Sequence, residues 1–196
     1  MSGSTSEGGA AESVYAALAR HGLLLTQDKD VPSVVGIVTG ESLRTSWWGH
    51  PKSHLIFSIL KALSAHPQVM FTKLLARKDT LVHSDLWPAL LAVGRARAEW
   101  QLRGLSAAAA ELLQRVDHAR SAVQATGAAC KELQVRLLAP AHEIHGADGH
   151  HETVIEPWIA WSSRMNCTPL ATVNDARDRL EQAATKLGAP LKWLPW

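Results

Sequence analysis

Apolar positions recur along the chain at helical spacing, and twice the pattern gives way to short β-branched runs. Val14, Ala17 and Leu18 predict a helix over Glu12 to His21, with Gly22 suited to its end. Leu23–Leu25 is a short apolar stub, and Asp28, Asp30 and Pro32 mark a loop. Ser33 to Val38 predicts one or two helical turns closed by Gly40. The clearest helix is predicted over Pro51–Ala65, with Pro51 in the first position. Leu55, Ile56, Ile59, Leu60 and Leu63 form its apolar stripe. His54, Ser58 and Lys61 fall on the opposite side, and Lys52 precedes them. Val69 to Leu75 and Thr80 to Ser84 then predict a β-hairpin around Ala76-Arg77-Lys78-Asp79. Lys73, Arg77 and Lys78 crowd its tip.

A helical connector follows over Trp87 to Ala96 and Trp100 to Gly104. Ser106 is placed to cap a helix over Ala107 to Ala119. The pattern then recurs. Ser121 to Ala125 is a short segment, Ala128 to Leu138 a helix after Gly127, and Pro140 its stop. A second hairpin is expected from Ala141 to His145 and His150 to Ile155, turning through Gly146 to Gly149 and halted by Pro157 and Trp158. Thr172-Val173-Asn174-Asp175 matches a capping box before a last helix, whose stripe is Ala176, Leu180, Ala183, Ala184 and Leu187. The expected organisation is a disordered tail over 1–10, a first unit with connector over 11–104, a second unit over 105–165, and a C-terminal helix and tail over 166–196. The expected fold class is α+β and mostly helical, with two winged helix-turn-helix-like units bearing short β-hairpin wings.

Composition narrows the setting. With 46% hydrophobic and 19% charged residues the chain can bury a core. No apolar run reaches the roughly 18 residues of a membrane span, and the Ser/Gly/Glu-rich Met1 to Ala10 is not expected to act as a secretory signal. Cys130 and Cys167 are too few for a four-cysteine zinc site, so a reducing, cytoplasmic setting is expected. Charge is uneven: residues 1–40 carry net −2, residues 41–104 net +5, and residues 105–196 net −1. A positive middle is either a face that attracts nucleic acid or an ordinary solvated surface.

The order helix, short segment, helix, helix, basic hairpin is that of a winged helix-turn-helix. Its last helix before the hairpin, here Pro51–Ala65, enters the major groove while the hairpin, with Arg77-Lys78 at its tip, rests on phosphates. On Ser46-Trp47-Trp48-Gly49-His50-Pro51-Lys52, the helix after it, the hairpin up to Leu86-Trp87-Pro88 and the unit from Lys131 to Trp158, the chain resembles tandem winged-helix DNA-binding proteins, distantly the AlkZ-like DNA glycosylases and their bacterial relatives. The resemblance covers about 41–161 and rests on element order and a few tryptophans. It implies DNA binding. Those glycosylases are larger, carry three such units, and place the hydrolytic water with a Gln-x-Gln-type motif. No Gln-x-Gln occurs here. His66-Pro67-Gln68 has His-x-Gln spacing but lies at a helix end, and catalysis is not carried onto it.

The expected nucleic-acid contacts are Lys52, His54, Ser58, Lys61, Lys73, Arg77 and Lys78 in the first unit and Lys131 and Arg136 in the second. His142, His145, His150 and His151 form a cluster, with His145 facing His150 across the hairpin. Its spacing fits no closed zinc site, so neither metal nor other cofactor is expected. His150-His151-Glu152 lacks the paired cysteines of zinc deaminases. The eight tryptophans sit mostly at element junctions and are expected to pack rather than to stack on bases. Taken together, the expected function is nucleic-acid binding, with double-stranded DNA the partner, no membrane, and no catalytic activity of its own. The alternatives are a DNA-repair enzyme of the glycosylase type with an active site no motif reveals, or a winged-helix module that binds a protein partner.

Overall fold

The computed structural model describes residues 7–145 and 151–196. The chain is α+β, with helices around two antiparallel sheets of three strands each. The first half runs α1 (Glu7–His21), β1 (Leu23–Leu25), α2 (Val34–Thr39), α3 (Ser53–Ser64), β2 (Val69–Thr72) and β3 (Thr80–His83). Its sheet has the order β1-β3-β2. After α4 (Trp87–Arg95) and α5 (Glu99–Leu102) come α6 (Ala107–His118), β4 (Val123–Gln124), α7 (Gly127–Val135), β5 (Ala141–His145) and β6 (His151–Ile155). The second sheet repeats the order as β4-β6-β5. The described chain closes with α8 (Trp158–Arg164) and α9 (Val173–Leu187). Among the described residues no helix is long and apolar enough to cross a membrane.

Local chemistry accounts for most boundaries. Ser33 and Ser106 accept from Gly36 N–H and Ala109 N–H at the starts of α2 and α6. Thr172 accepts from Asp175 N–H at the start of α9. Gly188 closes α9 in the left-handed conformation (φ 87°), where a Cβ would be strained.

Several expectations are corrected. α1 begins at Glu7, so Glu7–Ala10 belong to the helix and not to a tail. Ala10 is buried there, and the Glu7 carboxylate suits the positive end of the helix and takes the Ser58 hydroxyl. Residues 1–6 lie outside the described residues. Pro51 sits in a turn, and α3 starts two residues later at Ser53. The stub Leu23–Leu25 is a strand against β3, and the segment around Val123-Gln124 is a strand against β6. Pro157 is the N-cap of α8, so Pro157-Trp158 starts a helix rather than only halting a hairpin. α7 ends at Val135, three residues early, because Leu137 turns left-handed (φ 53°) and Leu138 N–H bonds back to the Leu133 carbonyl. In the second hairpin His145 pairs with His151, not His150, since Glu156 N–H bound to the Pro140 carbonyl sets the register at the base. His150 and Gly146–Gly149 lie outside the described residues.

The larger core joins the first half of the chain to residues from Leu137 onward. Leu18, Leu23, Leu25, Ile56, Ile59, Leu81 and Leu90 join Leu137, Trp158, Trp161, Leu180 and Leu187 in one buried cluster. Trp161 stands edge-on to both Trp87 (5.3 Å) and Trp158 (5.4 Å), and Trp158 covers Gly94 so closely that a Cβ there would lie 2.4 Å from its ring. A smaller core, around Leu112, Val116, Cys130, Leu133 and Ile155, belongs to the second sheet and its helices. Seven of the eight tryptophans are buried or half-buried, as expected of packing anchors, and Trp48 is 65% exposed.

Candidate nucleic-acid interface

α3 divides as its periodicity requires. Ile56, Ile59 and Leu63 are buried, Leu55 and Leu60 half-buried, and His54 and Lys61 exposed. Ser58 is half-buried because its Oγ donates to Glu7. Neither the His54 nor the Lys61 side chain has a hydrogen-bond or ion-pair partner among the described residues. On the outward face of α3 a cation and an imidazole are therefore open to a ligand.

The other expected contacts are largely engaged inside the protein. Lys52 Nζ donates to the carbonyls of Val38 (2.9 Å) and Thr39 (3.4 Å), at the negative end of α2. Lys73 Nζ is 2.6 Å from Asp79 Oδ1 across the hairpin turn, and Lys78 Nζ is 2.8 Å from Asp28 Oδ2 and 5.5 Å above the Trp193 ring. Ala76 and Arg77 are left-handed (φ 49° and 59°), and Ala76 N–H donates to the Trp193 carbonyl (2.7 Å). The tip is thus fastened to the body on both sides, and only Arg77 remains exposed without a side-chain partner among the described residues.

In the second half Lys131 is exposed on α7 and has no side-chain partner among the described residues. Arg136 is a structural clasp. Its guanidinium donates to the carbonyls of Trp100, Gln101, Arg103 and Gly104 and lies 3.4 Å from Glu132. The Ser106 hydroxyl, donating to Glu132 at 2.7 Å, holds that carboxyl below its usual range, and Arg136 adds to the effect. Arg136→Lys keeps the charge but loses the fork, and is expected to cost about 1–3 kcal/mol in urea unfolding. Nucleic-acid affinity of the folded variant should not change. Weaker binding at unchanged stability would instead make Arg136 a contact residue.

Asp28 is the buried end of the Lys78 pair. Burial pushes its carboxyl up, but the Lys78 ammonium and the N–H groups of Asp30 and Val31 outweigh this and hold it below the usual range. Such a group adds stability that is present above its unfolded value and lost as pH falls through the folded one. Lys78→Ala removes the ammonium's share of the lowering and leaves that of the two N–H groups, so acid unfolding followed by circular dichroism should begin at a higher pH than in the native chain. An unmoved acid midpoint would show that the pair contributes nothing.

Residues bearing on the enzymatic alternatives are internally satisfied. Gln68 Oε1 accepts the Tyr15 hydroxyl at 2.6 Å, and the His66 ring lies 4.4 Å from the Tyr15 ring. The buried Glu156 carboxylate takes Arg164 and lies 3.5 Å from His142 Nδ1, and burial of that imidazole lowers its proton affinity. No group of metal-ligating side chains is assembled among the described residues.

Two features lie outside the expected contacts. From Ser42 to Lys78 the chain holds no Asp or Glu, while Arg44, Lys52, Lys61, Lys73, Arg77 and Lys78 fall within it. Phe57 stands 49% exposed on the outward face of α3 between His54 and Lys61, and Trp48 lies beside it with ring centroids 6.3 Å apart. The i+3 and i+4 spacing of 54, 57 and 61 is the signal that places Phe57 there. Comparison of the chain with protein-family models, with curated proteins and with solved structures finds no match.

Proposed function

We propose that the chain is a nucleic-acid-binding protein of tandem winged-helix type without catalytic activity of its own, docking through the outward face of α3. The order α1-β1-α2-α3-β2-β3 with sheet order β1-β3-β2 supports a winged-helix reading of the first half. The second half follows with the same sheet order and one helix fewer. The single observation that carries the function is the acid-free run Ser42–Lys78, which leaves Lys61 and Arg77 exposed and without side-chain partners among the described residues. The carboxylates that reach this run come from outside it, Asp28 and Asp79 each paired with a lysine and Glu7 and Glu41 bonded to Ser58 and His50, so the exposed charge the run itself offers an anionic backbone is positive. Free thiols at Cys130 and Cys167 fit a reducing, cytoplasmic setting.

The test is fluorescence anisotropy of labelled DNA against salt. Lys61→Ala and Arg77→Ala are each expected to weaken binding with little sequence dependence. Each should also shallow the log–log salt slope by about 0.7–0.9 for every phosphate the variant no longer neutralises. No binding at low salt, or slopes unmoved by both changes, would overturn the proposal.

A further inference from the structure

We infer that Trp48 and Phe57 form a stacking platform for an unpaired base, so that the α3 face takes single-stranded or gapped nucleic acid in preference to intact duplex. The inference rests on the nucleic-acid reading above and specifies its substrate class. Trp48 and Phe57 are the aromatic members of the small set of large apolar side chains left exposed among the described residues, and they are neighbours.

The Trp48 ring is backed by a buried neighbour. One face stacks on Trp47, which is buried, with centroids 4.1 Å apart and planes 22° from parallel. Its backbone is held in a 3-10 turn over Trp47–Gly49, closed by His50 N–H bonding to the Trp47 carbonyl. Phe57 stands beside it, its ring tilted 44° from that of Trp48. A flat π-faced ligand can therefore dock on the Trp48 ring opposite its Trp47 partner, with Phe57 at its side.

The surrounding residues argue for a nucleotide rather than an apolar peptide. His54 and Lys61 stand three positions before and four after Phe57, within the acid-free run. The nearby carboxylates of Glu7 and Glu41 are bonded to Ser58 and His50. The face is also poorly equipped to read a closed duplex. The planar forks that read base edges most sharply in the major groove are those of Arg, Asn and Gln, and α3 contains none of the three, its polar groups being Lys61, His54 and serines. At the centre of the face, where such a residue would stand, the helix presents Phe57. In a duplex the faces of the bases are covered by their neighbours, whereas an unpaired base offers one.

The experiment uses the full chain with fluorescein-labelled oligothymidylate and a mixed-sequence duplex of equal length at low salt. Trp48→Ala, Phe57→Ala, Trp48→Phe and Lys61→Ala are compared after their urea midpoints confirm folding. The native chain should bind the single strand more tightly than the duplex. Trp48→Ala and Phe57→Ala should each weaken single-strand binding by about tenfold, with duplex binding changed less than about twofold, and Trp48→Phe should recover most of the affinity. Intrinsic fluorescence should be quenched by oligothymidylate in the native chain and not in Trp48→Phe. If Lys61→Ala weakens binding while the aromatic changes affect both ligands equally or neither, the platform is refuted and the nucleic-acid reading stands. If neither ligand binds, both fall. If sedimentation shows a dimer that Trp48→Ala dissociates, a second copy occupies the face and the platform is refuted.

Discussion

Trp158→Ala is expected to cost about 3–5 kcal/mol, much of a domain's usual stability of roughly 5–15 kcal/mol. The indole is 4% exposed, its Nε1 donates to the Leu137 carbonyl at 2.8 Å, and its ring lies against Gly94 and edge-on to Trp161. Truncation removes this packing and leaves the carbonyl without its donor. The same packing can be probed from the other side. Gly94→Ala drives a methyl into the indole and should cost about 1–3 kcal/mol, although alanine is the better helix former. With Trp158 already truncated, that methyl has room, and Gly94→Ala should become neutral or favourable. Urea unfolding of the two single variants and the double variant measures the coupling. Additive costs would mean that the indole and Gly94 do not press on one another.

The second large effect separates the two faces of α3. Ile59 is fully buried in the larger core, and Ile59→Ala should cost about 2–5 kcal/mol. Lys61, two residues on, is exposed and without a side-chain partner among the described residues, and Lys61→Ala should move stability by no more than about 0.5 kcal/mol. DNA affinity should show the reverse order once each variant is measured below its own unfolding transition. A stability loss from Lys61→Ala comparable to that from Ile59→Ala would place the lysine in a packing role and remove the basis for docking through this face.

The long helices are legible in the sequence because their stripes span several turns and glycine, proline or a capping side chain marks their ends. The strands β1 and β4 are not. Leu23–Leu25 is apolar at every position and buried throughout, so it shows no alternation, and two residues at Val123-Gln124 are too few to carry a period. α8 is hidden by its own cap, since Pro157 ends one element and opens the next. In the candidate site, the face of α3 follows from spacing. The engagement of Lys78 does not, because its partner Asp28 lies fifty residues earlier and only the folded chain brings them together. Arg136 misleads for a related reason: what it binds is carbonyl oxygen, which every residue carries and no composition reveals. Lys73, expected as a nucleic-acid contact, instead meets Asp79 because the two stand at opposite ends of the loop between Thr72 and Thr80, where the strand pairing brings them together.

The place of α9 in the core bears on how the chain acquires its structure. α9 packs on α1, β1 and α4, and the Trp193 carbonyl that follows it receives the Ala76 amide of the first hairpin. Residues 11–104 therefore cannot complete their packing until residues 173–194 have arrived, however early in synthesis they emerge. During translation the faces of α1, β1 and α4 that α9 will cover remain open to water and to chaperones. The order of synthesis and the order of consolidation are then reversed for the first half. The second hairpin and its smaller core can close locally, while the segment made first gains its final protection from hydrogen exchange only when α9 docks.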